Sequence, residues 1–182
     1  LAQEKEDISW QGIIYKVPRG VMAWDVRAGT NTLATPDNLA RWGVRVDTQC
    51  VIDNCGAPCN LGHLLNNCNK SLERFCFRHD SVLLHIVQRV IENKADRMTV
   101  YADLEGWKVN GGTVPPDLVA TGQMPDIVLL DREKKLIVLL ELTVVFDSSL
   151  TSFKSAEDRK SERYERLTLD LKALGYKALN MP

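Results

Sequence analysis

The sequence predicts an α/β fold preceded by a small metal-stabilised segment, and three observations carry that expectation. From about residue 78 the apolar pattern runs helix, strand, strand, strand, helix, strand. Four of the five cysteines crowd between positions 50 and 68. An apolar run at 136–146, LIVLLELTVVF, is interrupted by a single acid, Glu141. Composition fits this reading: 182 residues, 45% hydrophobic and 26% charged, are the proportions of an ordinary globular chain and exclude collagen, coiled coil and wholesale disorder. The length suits one domain of about 130 residues plus a smaller appendage.

Charge narrows the partners. Lys plus Arg number 23 against 24 Asp plus Glu, a net charge of -1, which excludes a globally basic nucleic-acid coat. A local groove remains open to phosphate, because screening confines each charge patch to about 10 Å. No apolar run reaches the roughly 20 residues that a bilayer span needs. The amino-terminal LAQEKEDISW is acidic and has no basic stretch followed by an apolar one, so it does not read as a signal peptide, and the expected compartment is reducing.

Residues 1–48 carry Trp10, Trp24 and Trp42 with little periodicity and read as a packed connector. Breaks fall at PRG (18–20) and TPDNLARW (35–42), with Thr35 as a helix N-cap and Pro36 at the first helical position. Residues 49–77 hold the cysteine cluster, and 78–182 the regular α/β part. There, Asp80 or Ser81 is expected to cap a helix whose apolar residues Leu83, Leu84, Ile86, Val87, Val90 and Ile91 recur at helical spacing to about Asn93 or Lys94. MTVYAD (98–103) alternates as a strand, and NGGTVPP (110–116) makes a loop. IVLL (127–130) and the run at 136–146 flank the polar DREKK, a hairpin of strands buried on both faces. A long helix follows from Thr151 or Ser152 to Leu174, with Gly175 as its C-cap, and YKALNMP is a final strand.

The cysteine spacing is Cys50, four residues, Cys55, seven residues, His63, four residues, Cys68. Zinc takes four N or S ligands in a tetrahedron, and short loops let two ligand pairs close on one ion. His63 and Cys68 fit a pair on the first turns of a helix starting near Leu61. Cys59 is an alternative to Cys50, whose first spacing is long. Cys76 reads as a packing residue. With no ligand position left for water the site reads as structural, and so small a core needs the folding free energy that a metal provides. The bland alternative is a set of buried reduced cysteines beside a surface histidine.

Asp126 stands at the mouth of the first apolar strand, after Pro125, and Glu141 inside the second. A buried, unpaired carboxylate costs several kcal/mol or neutralises itself, so Glu141 needs a compensating group. Pairing the two strands about DREKK brings Asp126 and Glu141 to one end of the sheet, where two carboxylates suit a hard cation such as Mg2+. On the long helix the stripe Phe153, Ala156, Tyr164, Leu167, Leu171, Leu174 is completed by Lys160. That lysine either snorkels to solvent or points inward to polarise a water or hold a phosphate. Each signal has a structural reading, an ion pair or a hydrogen-bonded core acid; together, in this element order, they compose a nuclease constellation.

The string PPDLVATGQMPDIVLLDREKKLIVLLELTVVFD, followed by AEDRKSERYERL, resembles the restriction-like endonuclease domain of the PD-(D/E)xK superfamily found at the carboxyl end of site-specific non-long-terminal-repeat retrotransposon proteins. TPDNLARWG, the Cys/Cys/His/Cys knuckle with LGHLLNNC, and RHDSVLLHI extend the similarity over about residues 18–182. The resemblance implies a PD-(D/E)xK restriction-endonuclease-like core, a mixed central sheet flanked by helices, preceded by a CCHC zinc knuckle. It implies a DNA endonuclease that nicks its target so that the exposed 3' hydroxyl primes reverse transcription of the element RNA.

By the same resemblance Asp126 and Glu141 are Mg2+ or Mn2+ ligands. The superfamily's usual lysine two residues after the second acid is absent, because position 143 is Thr; Lys160 matches the lysine on the following helix, and Tyr164, its helical neighbour, is a further catalytic candidate. Arg78, His79 and Asp80 match a basic motif that contacts DNA or positions the first helix. Arg159 and Arg163, with Arg166 and Lys172, are candidate phosphate contacts or a solvated face interleaved with Glu162, Glu165 and Asp170. The implied partners are target DNA, element RNA and an upstream reverse transcriptase region to which residues 1–48 connect, with nuclear action. No reverse transcriptase motif is present, so the chain reads as the carboxyl-terminal part of a longer protein.

Overall fold

The computed structural model describes residues 16–144 and 152–182. The expectations for Trp10, for the strand residues Val145 and Phe146, and for a cap at Thr151 lie outside the described residues, as does the side chain of Phe153. The chain divides into two compact units, 1–71 and 72–182. The second unit therefore begins six residues earlier than the sequence boundary at 77/78, because a single helix covers 72–93.

The first unit contains α1 (Arg19–Gly29) and α2 (Pro36–Arg41). Thr35 caps α2 as expected, its Oγ1 accepting the Asn38 N–H at 3.2 Å, with Pro36 at the first position. The α2 segment is tied to the cysteine-bearing loop through the Asp37 N–H on the Cys59 carbonyl, 3.3 Å. A 3-10 turn at Ile52–Asn54 and a π-helical turn at His63–Asn67 complete the unit.

The second unit runs α3 (Leu72–Asn93), β1 (Thr99–Ala102), β2 (Ile127–Asp131), β3 (Leu136–Leu140), α4 (Ser152–Arg163), α5 (Glu165–Ala173) and β4 (Lys177–Met181). The strands form one mixed sheet in the order β1-β2-β3-β4, antiparallel except for the parallel β3/β4 pair. A parallel neighbour requires a crossover, and the α4–α5 segment supplies it. Alternation along β2 and β3 sorts their side chains onto two faces. Val128, Leu130, Ile137 and Leu139 pack with Tyr164, Leu167 and Leu171 on one face, while Ile127 packs with Leu83 and Val87 of α3 on the other.

Four sequence expectations change. The first helix starts at Leu72, so Asp80 and Ser81 lie inside it and neither is its N-cap; the Ser81 hydroxyl instead donates to the Phe77 carbonyl at 2.6 Å. Leu84, counted with the apolar stripe, is exposed. The second apolar strand stops at Leu140, which puts Glu141 just past its end. The physical reason is a diverted donor: the Leu142 N–H goes to the Asp126 carboxylate at 2.7 Å, so strand propensity beyond Glu141 gains no ladder bond there. The long helix is two helices broken at Tyr164, whose φ of -107° and ψ of 9° are not helical. Gly175, at φ +82°, closes the second, with the Gly175 N–H on the Lys172 carbonyl and the Tyr176 N–H on the Leu171 carbonyl, a Schellman arrangement that the left-handed glycine makes possible. No described helix is long and apolar enough to cross a membrane.

Candidate functional site

Two constellations stand out, one in each unit. In the first, donor atoms of Cys50, Cys55, His63 and Cys68 all lie within 4.8 Å of one another. The Cys50 and Cys68 sulfurs are 4.0 Å apart and the Cys55 sulfur is 3.6 Å from His63 Nε2. Two sulfurs bound at about 2.3 Å to a tetrahedral zinc stand roughly 3.8 Å apart, so these separations fit one ion.

The local backbone explains the convergence. Asp53, Asn54 and Gly56 take left-handed φ values of 43°, 53° and 69°. They fold the loop so that the Cys50 N–H reaches the Ala57 carbonyl at 2.8 Å. Asn60 accepts the His63 N–H at 2.8 Å, an N-cap bond. Residues five apart on an α-helix are rotated about 140° from one another. The wider π-turn, with Cys68 extended at its end (ψ 109°), instead brings His63 and Cys68 together. The helix starts at Leu61 as expected, and its turn at His63–Asn67 is π-helical.

The thiols of this unit sit in unlike surroundings. The Ala57 N–H would favour the Cys55 thiolate, but burial and the neighbouring Cys68 and Cys50 outweigh it and push that thiol up. Cys68 is pulled down: burial opposes ionisation, and the Lys70 N–H, Ser71 and the neighbouring cysteines overcome it. Cys59 is buried, and that burial, with its bond to Cys50, pushes its thiol up to about 11. It lies outside the converging group, so Cys50 and not Cys59 completes the quartet. A dication stabilises thiolates, and the Cys50, Cys55, His63, Cys68 set could hold zinc. Cys76 is exposed on α3 and is not a packing residue.

The second constellation sits where the β2/β3 ladder ends. Ile127 pairs with Leu140, so Asp126 and Glu141 follow opposite each other in the antiparallel register. Their carboxylates terminate the ladder reciprocally. Glu141 Oε1 accepts the Asp126 N–H at 3.0 Å and Asp126 Oδ2 accepts the Leu142 N–H at 2.7 Å. Lys160 of α4 points inward: its Nζ bonds Glu141 Oε2 and stands 3.6 Å from Asp126 Oδ2. The Glu141 side chain is fully buried and that of Lys160 is 22% exposed, which settles the snorkelling question in favour of the ion pair.

Burial pushes the Glu141 carboxyl up; the Lys160 bond pulls it down, and the Asp126 charge adds to the rise, which prevails. Tyr164 is buried beside the same acids, donating its hydroxyl to the Met124 carbonyl at 2.9 Å. Burial, then the Glu141 charge, pushes that phenol well above its ordinary range. A pocket of about 220 Å³ lies beside Asp126 and Glu141, lined also by Leu83, Ile86 and Met181.

The residues expected to touch DNA are distributed differently. Arg78 lies over the Phe75 ring, 5.6 Å from guanidinium to centroid. His79 is drawn into the carboxylate cluster, with Nε2 3.4 Å from Asp126 Oδ2 and Nδ1 3.1 Å from Asp80 Oδ1. Arg159 and Arg163 are exposed on α4, Arg159 bonding the Ser155 carbonyl and Arg163 lying over the Tyr164 ring. Arg166 pairs with Asp170 within α5, as the solvated-face reading has it.

Sequence reasoning missed the Leu142 N–H and the Met124 carbonyl as parts of the site. It also missed His79 as a member of the carboxylate cluster. A signal for His79 was present: Leu83 and Val87 are the buried positions of α3, and a step of four residues toward the amino end lands on 79.

The sequence matches no protein-family model, and no curated protein matches it. What fold and site define is a mixed α/β protein with a four-stranded mixed sheet flanked by helices, together with a Cys/His cluster that could be a zinc site.

Proposed function

We propose that residues 72–182 form a PD-(D/E)xK nuclease of the restriction-like class and that the chain nicks DNA to prime reverse transcription of a non-long-terminal-repeat retrotransposon RNA. The observation that carries this reading is the meeting of Asp126, Glu141 and Lys160 at one sheet corner beside a pocket. The two carboxylates face the Lys160 ammonium, and the His79 ring stands 3.4 Å from Asp126. Hard oxygen ligands of this kind suit Mg2+ or Mn2+, which Asp126 and Glu141 would hold.

Bound there, such an ion supplies an activated water and neutralises phosphate charge. The chain's own contribution is positional. Lys160 stands where negative charge on a scissile phosphate needs a donor. The Leu142 and Asp126 N–H groups fix both carboxylates. In hydrolysis leaving a 3' hydroxyl, water oxygen bonds to phosphorus, the P–O3' bond breaks, and the 3' oxygen takes up a proton. The knuckle, loaded with zinc, would orient nucleic acid without cutting it. Nuclear location, and association with element RNA and a reverse transcriptase region, follow from the same proposal.

Relaxation of supercoiled plasmid by the purified, zinc-loaded chain tests it. Mg2+- or Mn2+-dependent nicking is expected from wild type and not from Asp126→Ala or Lys160→Ala; equal nicking by all three would refute the assignment. A second reading has its own support: the reciprocal ladder-ending bonds and the Lys160 pair satisfy both acids without any metal. On that reading the chain is an inactive nucleic-acid-binding or protein-interaction module. It predicts that Asp126→Ala changes no binding property, whereas removing zinc abolishes partner binding.

A further inference from the structure

His79 occupies a place that DNA contact does not explain. Its ring is half-buried, at 26% side-chain exposure, and bridges two carboxylates, Nδ1 to Asp80 and Nε2 to Asp126. With both nitrogens against carboxylate oxygens the ring's orientation is set from both sides. Asp126 Oδ2 already receives the Leu142 N–H and faces Lys160, so His79 is a third group converging on that one oxygen. The Leu142 hydrogen bond holds Oδ2, and His79 and Lys160 face the same oxygen as charge contacts at 3.4 and 3.6 Å.

We propose that His79 is a positioning residue for Asp126, oriented by Asp80, whose effect is on cation capture and not on contact with DNA. The proposal rests on the nuclease reading above. The alternative role for a histidine so placed, a cation-repelling occupant of the site, has the opposite sign: deleting it would strengthen metal binding. Loss of a positioning partner weakens it, and removing groups that orient a ligand typically costs about 10- to 100-fold in metal affinity.

The test is Mn2+ titration of the zinc-loaded full chain at one fixed pH, followed by electron paramagnetic resonance. Alongside it, metal-free duplex binding is followed by fluorescence anisotropy. His79→Ala should weaken Mn2+ binding about tenfold, and His79→Gln, whose amide can donate at similar reach, should recover most of the loss. Asp80→Asn, at an exposed position, should give a smaller loss in the same direction. Duplex affinity should stay within about twofold throughout, as no phosphate contact is removed.

Mn2+ binding that is unchanged or tighter in His79→Ala overturns the proposal, as does weaker duplex binding with unaltered Mn2+ affinity. Asp126→Ala separates the two levels: if it too leaves Mn2+ binding unchanged, the nuclease reading falls and this inference with it. If Asp126→Ala abolishes Mn2+ binding while His79→Ala does not weaken it, only the inference falls.

Discussion

The two constellations are built on opposite electrostatic plans. The Cys/His quartet gathers four donors within 19 residues of chain; burial and the neighbouring cysteines push the Cys55 thiol up, whereas local donors pull Cys68 down. The Asp126/Glu141 corner gathers groups from 79 to 160 and carries its own counter-ion in Lys160. Four clustered donors with no cationic side chain among them gain from an external cation, whereas the acids of the second site already face one in Lys160.

The largest expected effect breaks the first plan. Binding of structural zinc is worth on the order of 10 kcal/mol of folding free energy in isolated knuckles. Cys68→Ser, or chelation, should therefore remove a stoichiometric zinc, read by metal analysis, and abolish the protease resistance of residues 16–71. Full protease resistance after chelation would show that the quartet is a set of reduced core residues.

Breaking the second plan should cost less. Lys160→Ala strands a fully buried Glu141 charge, and removing one partner of a buried pair costs about 3 kcal/mol, read as a fall in the denaturant midpoint. Glu141→Ala removes the charge itself and should leave stability unchanged or raised. If Glu141→Ala is the more damaging change, the acid is a structural keystone and not a site held at a cost.

A smaller effect distinguishes these acids from one at the far end of the same strands. Asp131 is buried and held below the usual carboxylate range, first by the Lys134 N–H, against burial, and then by Arg97, 2.5 Å away. A lowered carboxyl contributes stability that is full above the unfolded value of about 3.9 and is lost as pH falls through the folded one. Asp131→Asn should flatten the acid limb of stability below about pH 4 and leave the neutral plateau's slope unchanged. The smallest expected change is Tyr164→Phe, which deletes the hydroxyl bond to Met124 and should cost about 1 kcal/mol with nicking retained.

What was legible in the sequence follows from range. Periodicity is local, so the element order and the β2/β3 pairing about DREKK could be read, and with them the approach of Asp126 to Glu141. The quartet was legible because its spacing is short; choosing Cys50 over Cys59 was not, since that depends on left-handed turns at Asp53 and Asn54. The end of β3 escaped because a side chain 16 residues away takes the Leu142 N–H. The early start of α3 hid His79, whose place shows only when the face of Leu83 and Val87 is extended by one turn. The break at Tyr164 had no local signal, for the residue is held by its distant bond to Met124.

The central claim is that this corner hydrolyses DNA, and the chemical ends of its product test it most directly. A nick made by the zinc-loaded chain with Mg2+ in a labelled duplex should carry a 3' hydroxyl that a polymerase extends without prior treatment, and Asp126→Ala and Glu141→Ala should produce none. Absence of any metal-dependent nick, with zinc bound and Mn2+ binding at Asp126 undetectable, would contradict the account and leave the acids as a ladder-ending ion pair.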